Sequence, residues 1–192
     1  MGGGPILGTE RLILRQWCAE DIEPFKAMNA DPRVTAALGI KPDPSGISAL
    51  IEGIATSFAQ NGFGLWAVEV RGGAPFIGFT GLSVPRFEAH FTPAVEVGWR
   101  LAFDYWGKGY ATEGASAALD FGFRTVGLEE IVSFASVANI RSHAVMKRLG
   151  MGHNPHDDFD YPGLDPADPL CRHLLYRLKR TEWHRSPSSP AY

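Results

Sequence analysis

Apolar and polar side chains alternate along residues 9–17, "TERLILRQW", with Leu12 and Leu14 on one face, and this pattern predicts a strand. The period then lengthens. Ile22, Phe25 and Met28 fall at helical spacing in the stretch that follows, and Asp31-Pro32 interrupts that helix. A second amphipathic helix is expected over residues 43–64, with Ser45 as a candidate cap and Gly62 as its stop. Its apolar positions are Ile47, Leu50, Ile51, Ile54 and Phe58. Residues 65–70 and 75–84 read as strands joined by "RGGA", a hairpin signal. Further strands are expected at 94–103, 130–137 and 173–183. Helices are expected at 111–127 and 139–151. The first carries a stripe of mostly small side chains at Ala111, Ala115, Ala118, Leu119 and Gly122 that permits close packing on a sheet, and the second ends at Gly150. Residues 152–170 read as an acidic, proline-rich loop.

The strand–helix–strand crossover from 94–103 to 130–137 makes those two strands parallel neighbours in an otherwise antiparallel sheet. The fold class is therefore mixed α/β, with a mostly antiparallel sheet flanked by helices. A single domain is expected over 9–183, with residues 1–8 as a flexible lead-in and 184–192 as a flexible polar tail. A length of 192 residues with 45% apolar and 20% charged side chains suits one soluble globular unit. A net charge of −3 supplies no broad basic surface, which argues against a nucleic-acid partner. No apolar run reaches the roughly 18–20 residues of a membrane span, and the start lacks the layout of a secretory signal. Cys18 and Cys171 are expected to be free thiols, as in a cytoplasmic protein.

Candidate chemistry centres on residues 105–114, "YWGKGYATEG", at the joint between a strand and a helix. Backbone N–H groups at a helix N-terminus attract anions, and Gly107, Gly109 and the small Ala111 let a phosphate approach them without meeting bulk. Thr112 is placed to cap the helix or to donate to an oxygen. The spacing of a nucleotide-triphosphate loop, GxxxxGK[ST], is missing, and no GxGxxG follows a strand, which disfavours a nucleotide triphosphatase or a dehydrogenase. On spacing alone, a glycine-eased turn stays open beside the anion site.

The segment "WGKGYA" (106–111) resembles the [Q/R]-x-x-G-x-[G/A] signature of the GCN5-related N-acetyltransferases (GNAT), with Trp106 at the first position. Trp there, "TERLILR" near the start and "WGKGYATE" at the loop are similar to the RimJ/RimL-like branch. A third block, Asn139, Ser142, Val145, Leu149, Gly150 and Met151, fits N-x-x-S-x-x-V-x-x-x-L-G-M. The resemblance covers about residues 9–183. It implies the GNAT fold, in which strands 94–103 and 130–137 splay apart and acetyl-CoA lies between them. Trp106, Gly107, Lys108, Gly109, Tyr110, Ala111 and Thr112 would then cradle the pyrophosphate. Leu101, Ala102 and Phe103 would bond the pantetheine arm by their backbones, a form of strand addition. Asn139 would hold that arm, and Lys147 and Arg148 would reach the ribose phosphate. Asn139 is equally suited to be an N-cap, and the cations to be solvated surface charges.

A primary amine attacking a thioester must lose a proton, and the departing thiolate benefits from gaining one. The family's acid is a Tyr seven residues after the Asn, and here that position is Met146. In the RimL-like branch the serine at the Ser142 position takes the acid role. Glu96, among apolar neighbours on the strand that would carry the coenzyme, is the candidate base; an ordinary strand glutamate is the alternative. His143 and His90 are lesser candidates, and Glu113 suits a dipole or bracing role better than chemistry. His153, His156 and Asp157 cluster in sequence, but the proline content and the spacing do not favour a metal site, so no metal is expected. The acidic loop is read as substrate-side, where its carboxylates can draw in a cationic amine. Trp17, Phe63, Trp66, Phe87, Phe91 and Trp99 are candidates to wall the acceptor pocket, most of them serving as core. The function expected is acetyl transfer to a small-molecule or peptide amine, with a non-catalytic acyl-CoA sensor as the alternative. Exposed strands or helices leave a homodimer open.

Overall fold

The computed structural model describes residues 4–36, 38 and 44–184, without the side chains of 44, 45, 47 and 48. The side chains of the Ser45 cap candidate and of Ile47, and the tail from 185 onward, lie outside what is described. In chain order the elements are β1 (Leu7–Gly8), β2 (Leu12–Arg15), α1 (Ile22–Ala30), α2 (Pro32–Thr35), α3 (Pro44–Asn61), β3 (Leu65–Val70), β4 (Gly78–Ser83) and β5 (Glu96–Leu101). Then come α4 (Tyr110–Phe121), β6 (Glu130–Ser136), α5 (Ile140–Arg148), β7 (Gly152–His153), β8 (Phe159–Asp160) and β9 (Arg172–Lys179). They build one sheet in the order β1-β2-β3-β4-β5-β6-β9-β7, with β8 also on β9.

Every pairing is antiparallel except β5 with β6, which run parallel and meet at a single register pair, Glu96 with Val132. The strands diverge beyond it. Ser133 Oγ donates to the Val97 carbonyl at 2.8 Å at the apex of the opening. The expected splayed pair is therefore present, and the crossover helix α4 explains it. α4 packs its small face, Ala115 and Ala118, both fully buried, against Leu12, Val97 and Leu101 on one side of the sheet. α5 adds Val145, Met146 and Leu149 to the same cluster. On the opposite side, Phe25, Met28, Val34, Phe76 and Phe79 gather with α1 and α2, and Phe91, Val132, Phe159 and Leu175 form a separate cluster. The gap between β5 and β6 falls between those two clusters.

Several expectations need correcting. Residues 7–8 are not a flexible lead-in: Leu7 and Gly8 pair with Leu14 and Ile13, and the Pro5 carbonyl accepts from the Trp66 indole at 2.7 Å. The helix expected through 127 is α-helical only to Phe121. A wider π-turn, Gly122–Val126, follows, beginning where the Gly122 N–H is shared between Ala118 and Leu119 carbonyls. Residues 152–170 contain β7 and β8 rather than loop alone, both recruited to the edge of β9. Cys18 and Cys171 are free, the second of them buried. Among the described residues, no helix is long and apolar enough to cross a membrane.

Candidate active site

At the end of β5 the chain makes a short 3₁₀ turn (Phe103–Tyr105) and enters the glycine loop. Gly107 and Gly109 have φ of 75° and 83°, the left-handed region where a side chain is strained. Gly109 is the N-cap of α4, and no side chain caps the helix. Among the described residues, the main-chain N–H groups of 107–112 have no protein acceptor; the first bonded one is Glu113, to the Gly109 carbonyl. A row of unpaired donors at a helix N-terminus is a site for an anion.

The loop is braced from β2. Glu113 accepts from Thr9 Oγ1 at 2.6 Å, from the Arg11 N–H at 2.9 Å and from Arg11 Nε at 2.7 Å. Arg11 Nη1 reaches on to the Lys108 carbonyl at 3.0 Å, and its guanidinium lies 4.8 Å from the Tyr110 ring centre. Burial pushes the Glu113 carboxyl up, but these hydrogen bonds outweigh it and hold the group below its ordinary value. Glu113 thus has the bracing role expected of it. The partner, Arg11, carried no sequence signal beyond its place in "TERLILR".

Trp106 is a strut rather than an anion donor, because its indole N–H goes to the Leu101 carbonyl at 2.7 Å and its backbone N–H to Phe103. The carbonyls of Ala102 and Phe103 are likewise taken, by the N–H groups of Tyr105 and Trp106, and the Ala102 N–H bonds Ile77. The pairs 77/102 and 79/100 fix the alternation of the ladder, so the backbone of Val97, Trp99 and Leu101 faces the gap instead. Among the described residues, the groups free to bind an extended ligand are therefore those of Trp99 and the N–H groups of Leu101 and Phe103, whereas the backbone of Ala102 is already engaged. Lys108 is exposed, with Nζ 5.3 Å from the Tyr105 ring centre. Thr112 makes no capping bond.

A cavity of about 450 Å³ occupies the gap between β5 and β6. It runs from the α5 side, lined by Asn139, Ser142 and Met146, to the α1–α3 side, lined by Phe79, Phe87, Glu96 and Arg100. Glu96, Asn139 and Ser142 are thereby brought together. Burial raises the Glu96 carboxyl from 4.5 to about 8, and a long 3.5 Å contact from the Ser83 hydroxyl offsets little of that. Gly98, next on the same face, keeps the carboxylate uncovered: a Cβ there would sit 3.7 Å from Glu96 Oε1. Asn139 caps α5 through Oδ1, accepting from the Ser142 N–H at 3.1 Å, which leaves its amide nitrogen unengaged. The Ser142 hydroxyl has no protein partner among the described residues.

Other expected residues lie elsewhere. Lys147 and Arg148 sit exposed in the last turn of α5, about 12 Å along the axis from Asn139. His143 is buried against Tyr176 with one ring nitrogen on the Ser136 carbonyl, and burial lowers its pKa; His90 is exposed. In the acidic loop, three carboxylates are paired with basic side chains, Asp157 with Arg177, Asp158 with His153 and Asp160 with Arg172, while Asp165 and Asp168 accept only from backbone N–H groups. Of the six aromatic candidates, Phe87 and Trp99 line the cavity, whereas Phe63, Trp66 and Phe91 are core and Trp17 packs on Phe25. Sequence reasoning missed Arg141, whose guanidinium lies 5.1 Å from the Trp106 ring centre and ties α5 to the loop. Its signal was a cation in the first turn of a helix, where the dipole disfavours one. Among the described residues, no three His, Cys, Asp or Glu side chains gather as a metal site.

Residues 11–152 match the family described as "Acetyltransferase (GNAT) domain". An Aspergillus fumigatus protein named FsC-acetyl coenzyme A-N(2)-transacetylase is 29% identical over 195 residues, covering 94% of this chain and 79% of its own. A crystal structure of an acetyltransferase from Agrobacterium tumefaciens superposes with a TM-score of 0.74 at 28% identity, covering 93% of this chain and 96% of that one. A ribosomal-protein-S5-alanine acetyltransferase from Vibrio fischeri shares the fold at a TM-score of 0.71 and 18% identity, covering 94% and 100% of the two chains.

Proposed function

The chain belongs to the GNAT acetyltransferase family, and from that premise we propose that it is an acetyl-CoA-dependent N-acetyltransferase acting on a primary amine. Both substrates are bound together and the amine attacks the thioester directly. The observation that carries this reading is the row of unpaired N–H groups at 107–112, lying at the end of the strand that holds Glu96. Those groups suit a diphosphate, and the edge of β5 at Trp99 and Leu101 suits an amide-bearing arm running toward the cavity. The coenzyme supplies the activated acetyl group. Glu96 takes the amine proton, directly or through one water, as the N–C bond forms. The C–S bond breaks, and the Ser142 hydroxyl gives its proton to the departing sulfur and recovers one from solvent. Met146 has no proton to give, and Ser142, one turn before it on α5, lines the same cavity with a hydroxyl that makes no bond to the described residues. Within the family, Trp106 and Ser142 support a place near the RimJ/RimL-like branch.

Thiol release from acetyl-CoA, measured across a panel of amines, tests the reading. Ser142→Ala is expected to lower kcat about tenfold with the KM for acetyl-CoA unchanged, because a thiolate leaves slowly without an acid. Saturable coenzyme binding with no thiol release for any amine would instead make the protein an acyl-CoA sensor. Arg11→Ala is expected to weaken coenzyme A binding about three- to tenfold by calorimetry, since Glu113 and the loop lose their charged brace.

A further inference from the structure

The cavity holds an arginine without a counter-ion. Arg100 stands opposite Phe79 across the β4–β5 ladder, its guanidinium 5.4 Å from that ring centre. Nη1 donates to Asn29 Oδ1 at 2.6 Å, a neutral acceptor. Nε is buried with no partner, and Nη2 has no protein acceptor among the described residues. No carboxylate acts on the group, and burial lowers its pKa to about 10. This departs from the other enclosed arginines: Arg15 meets Asp21 and Glu69, and Arg177 meets Glu130 and Asp157. Arg86, a second lining guanidinium, also has no carboxylate partner among the described residues. Among the described residues, Glu96 is the one carboxyl lining the cavity, and it does not pair with Arg100. A half-buried cation without an opposite charge is costly, and a site keeps one where a ligand supplies the missing charge.

We propose that the acceptor amine carries a carboxylate, received by Arg100 with Arg86 behind it, while its amino group faces Glu96. Glu96, Gly98 and Arg100 alternate onto one face of β5, and the outer two are about 13 Å apart along the strand. Both side chains are long enough to shorten that span, so the acceptor is compact, of amino-acid size. This rests on the acetyltransferase reading and narrows it to amino acids, away from plain polyamines.

The experiment uses glycine, β-alanine and γ-aminobutyrate, each against its own carboxamide, with aminopropylphosphonate as the phosphonate arm. Two readouts are taken: kcat/KM for acetylation, and calorimetric binding to protein saturated with coenzyme A. One acid is expected to beat its amide by roughly ten- to hundredfold, the worth of a charge-assisted contact. Arg100→Met should bring that ratio toward one, with Arg100→Lys intermediate. If the methionine variant fails to fold, Arg86→Met, at an exposed position, should still shrink the ratio. Equal values for acid and amide, or no binding of either, would overturn the inference while leaving acetyl transfer to other amines untouched. A phosphonate preferred over every carboxylate would overturn it as well. An acid preference that Arg100→Met abolishes, found without any acetyl transfer, would keep the anion site and sink the transferase reading.

Discussion

Replacing Glu96 with glutamine should lower kcat/KM for amine acetylation by about 10²–10⁴-fold, the usual worth of a positioned general base, while coenzyme A still binds. Glutamine keeps the shape and the Ser83 contact but cannot accept a proton. The pH profile separates this from a packing defect. With the carboxyl raised to about 8 and an acceptor amine titrating near 10, the logarithm of the wild-type rate should climb with slope two below about 8, with slope one from there to about 10, and level above. Only the slope-one limb set by the amine should survive in Glu96→Gln. The rate and the pH profile must change together. A variant that kept both would move the base elsewhere in the cavity.

Stability moves the opposite way. The unfolded chain releases the Glu96 proton near 4.5, whereas the folded protein keeps it to about 8, so between those values the folded state binds more protons. Folding stability therefore falls as pH rises through that window and the penalty is constant above it. Glu96→Gln escapes the penalty. Its melting temperature should exceed that of the wild type at pH 9 by several degrees and match it near pH 4, a difference that scanning calorimetry reads directly. A base held at the expense of stability is what a functional carboxylate in a half-enclosed cavity requires.

Periodicity located nearly every long element here because each buries one face. Leu12 and Leu14 point to α4, and the Ala115/Ala118 stripe lets that helix lie close. The short strands β1, β7 and β8 were invisible, since two residues carry no period and are held only by their neighbours' unpaired edges. The site divides the same way. Gly109, Asn139 and Ser142 lie in the short blocks that carry the family resemblance, so the sequence already singles them out. The Arg11 brace depends on a partner 102 positions away. Arg100 differs from any strand arginine only in what is missing around it, and a sequence does not display a missing neighbour. The same limit hides which backbone groups of β5 are already bonded. Which edge of β5 is free is decided by the ladder register with β4, not by composition.

The glycine at 109 offers the sharpest test of the anion cradle. Gly109→Val should raise the dissociation constant for coenzyme A by at least about tenfold, by two routes that add. At φ 83° and ψ −2° any side chain costs roughly 1–2 kcal/mol, more if β-branched, so the N-terminal turn of α4 will rearrange to relieve it. A Cβ there also lies 3.3 Å from Arg11 Nη2, so the brace that sets the loop is pushed away as the donors are disturbed. Gly107 has nothing within 4 Å of its Cβ position, so Gly107→Ala carries strain alone and should be the milder change. Thermal shift orders the variants: a ligand at 100 times its dissociation constant stabilises by about 2.7 kcal/mol, and tenfold weaker binding removes about 1.4 of that. The shift given by coenzyme A should shrink from wild type through Gly107→Ala to Gly109→Val, beyond whatever each substitution costs the free protein. Full coenzyme protection of a folded Gly109→Val would mean the diphosphate sits somewhere other than these amides, and the chemistry assigned to Glu96 and Ser142 would lose the ligand that orients it.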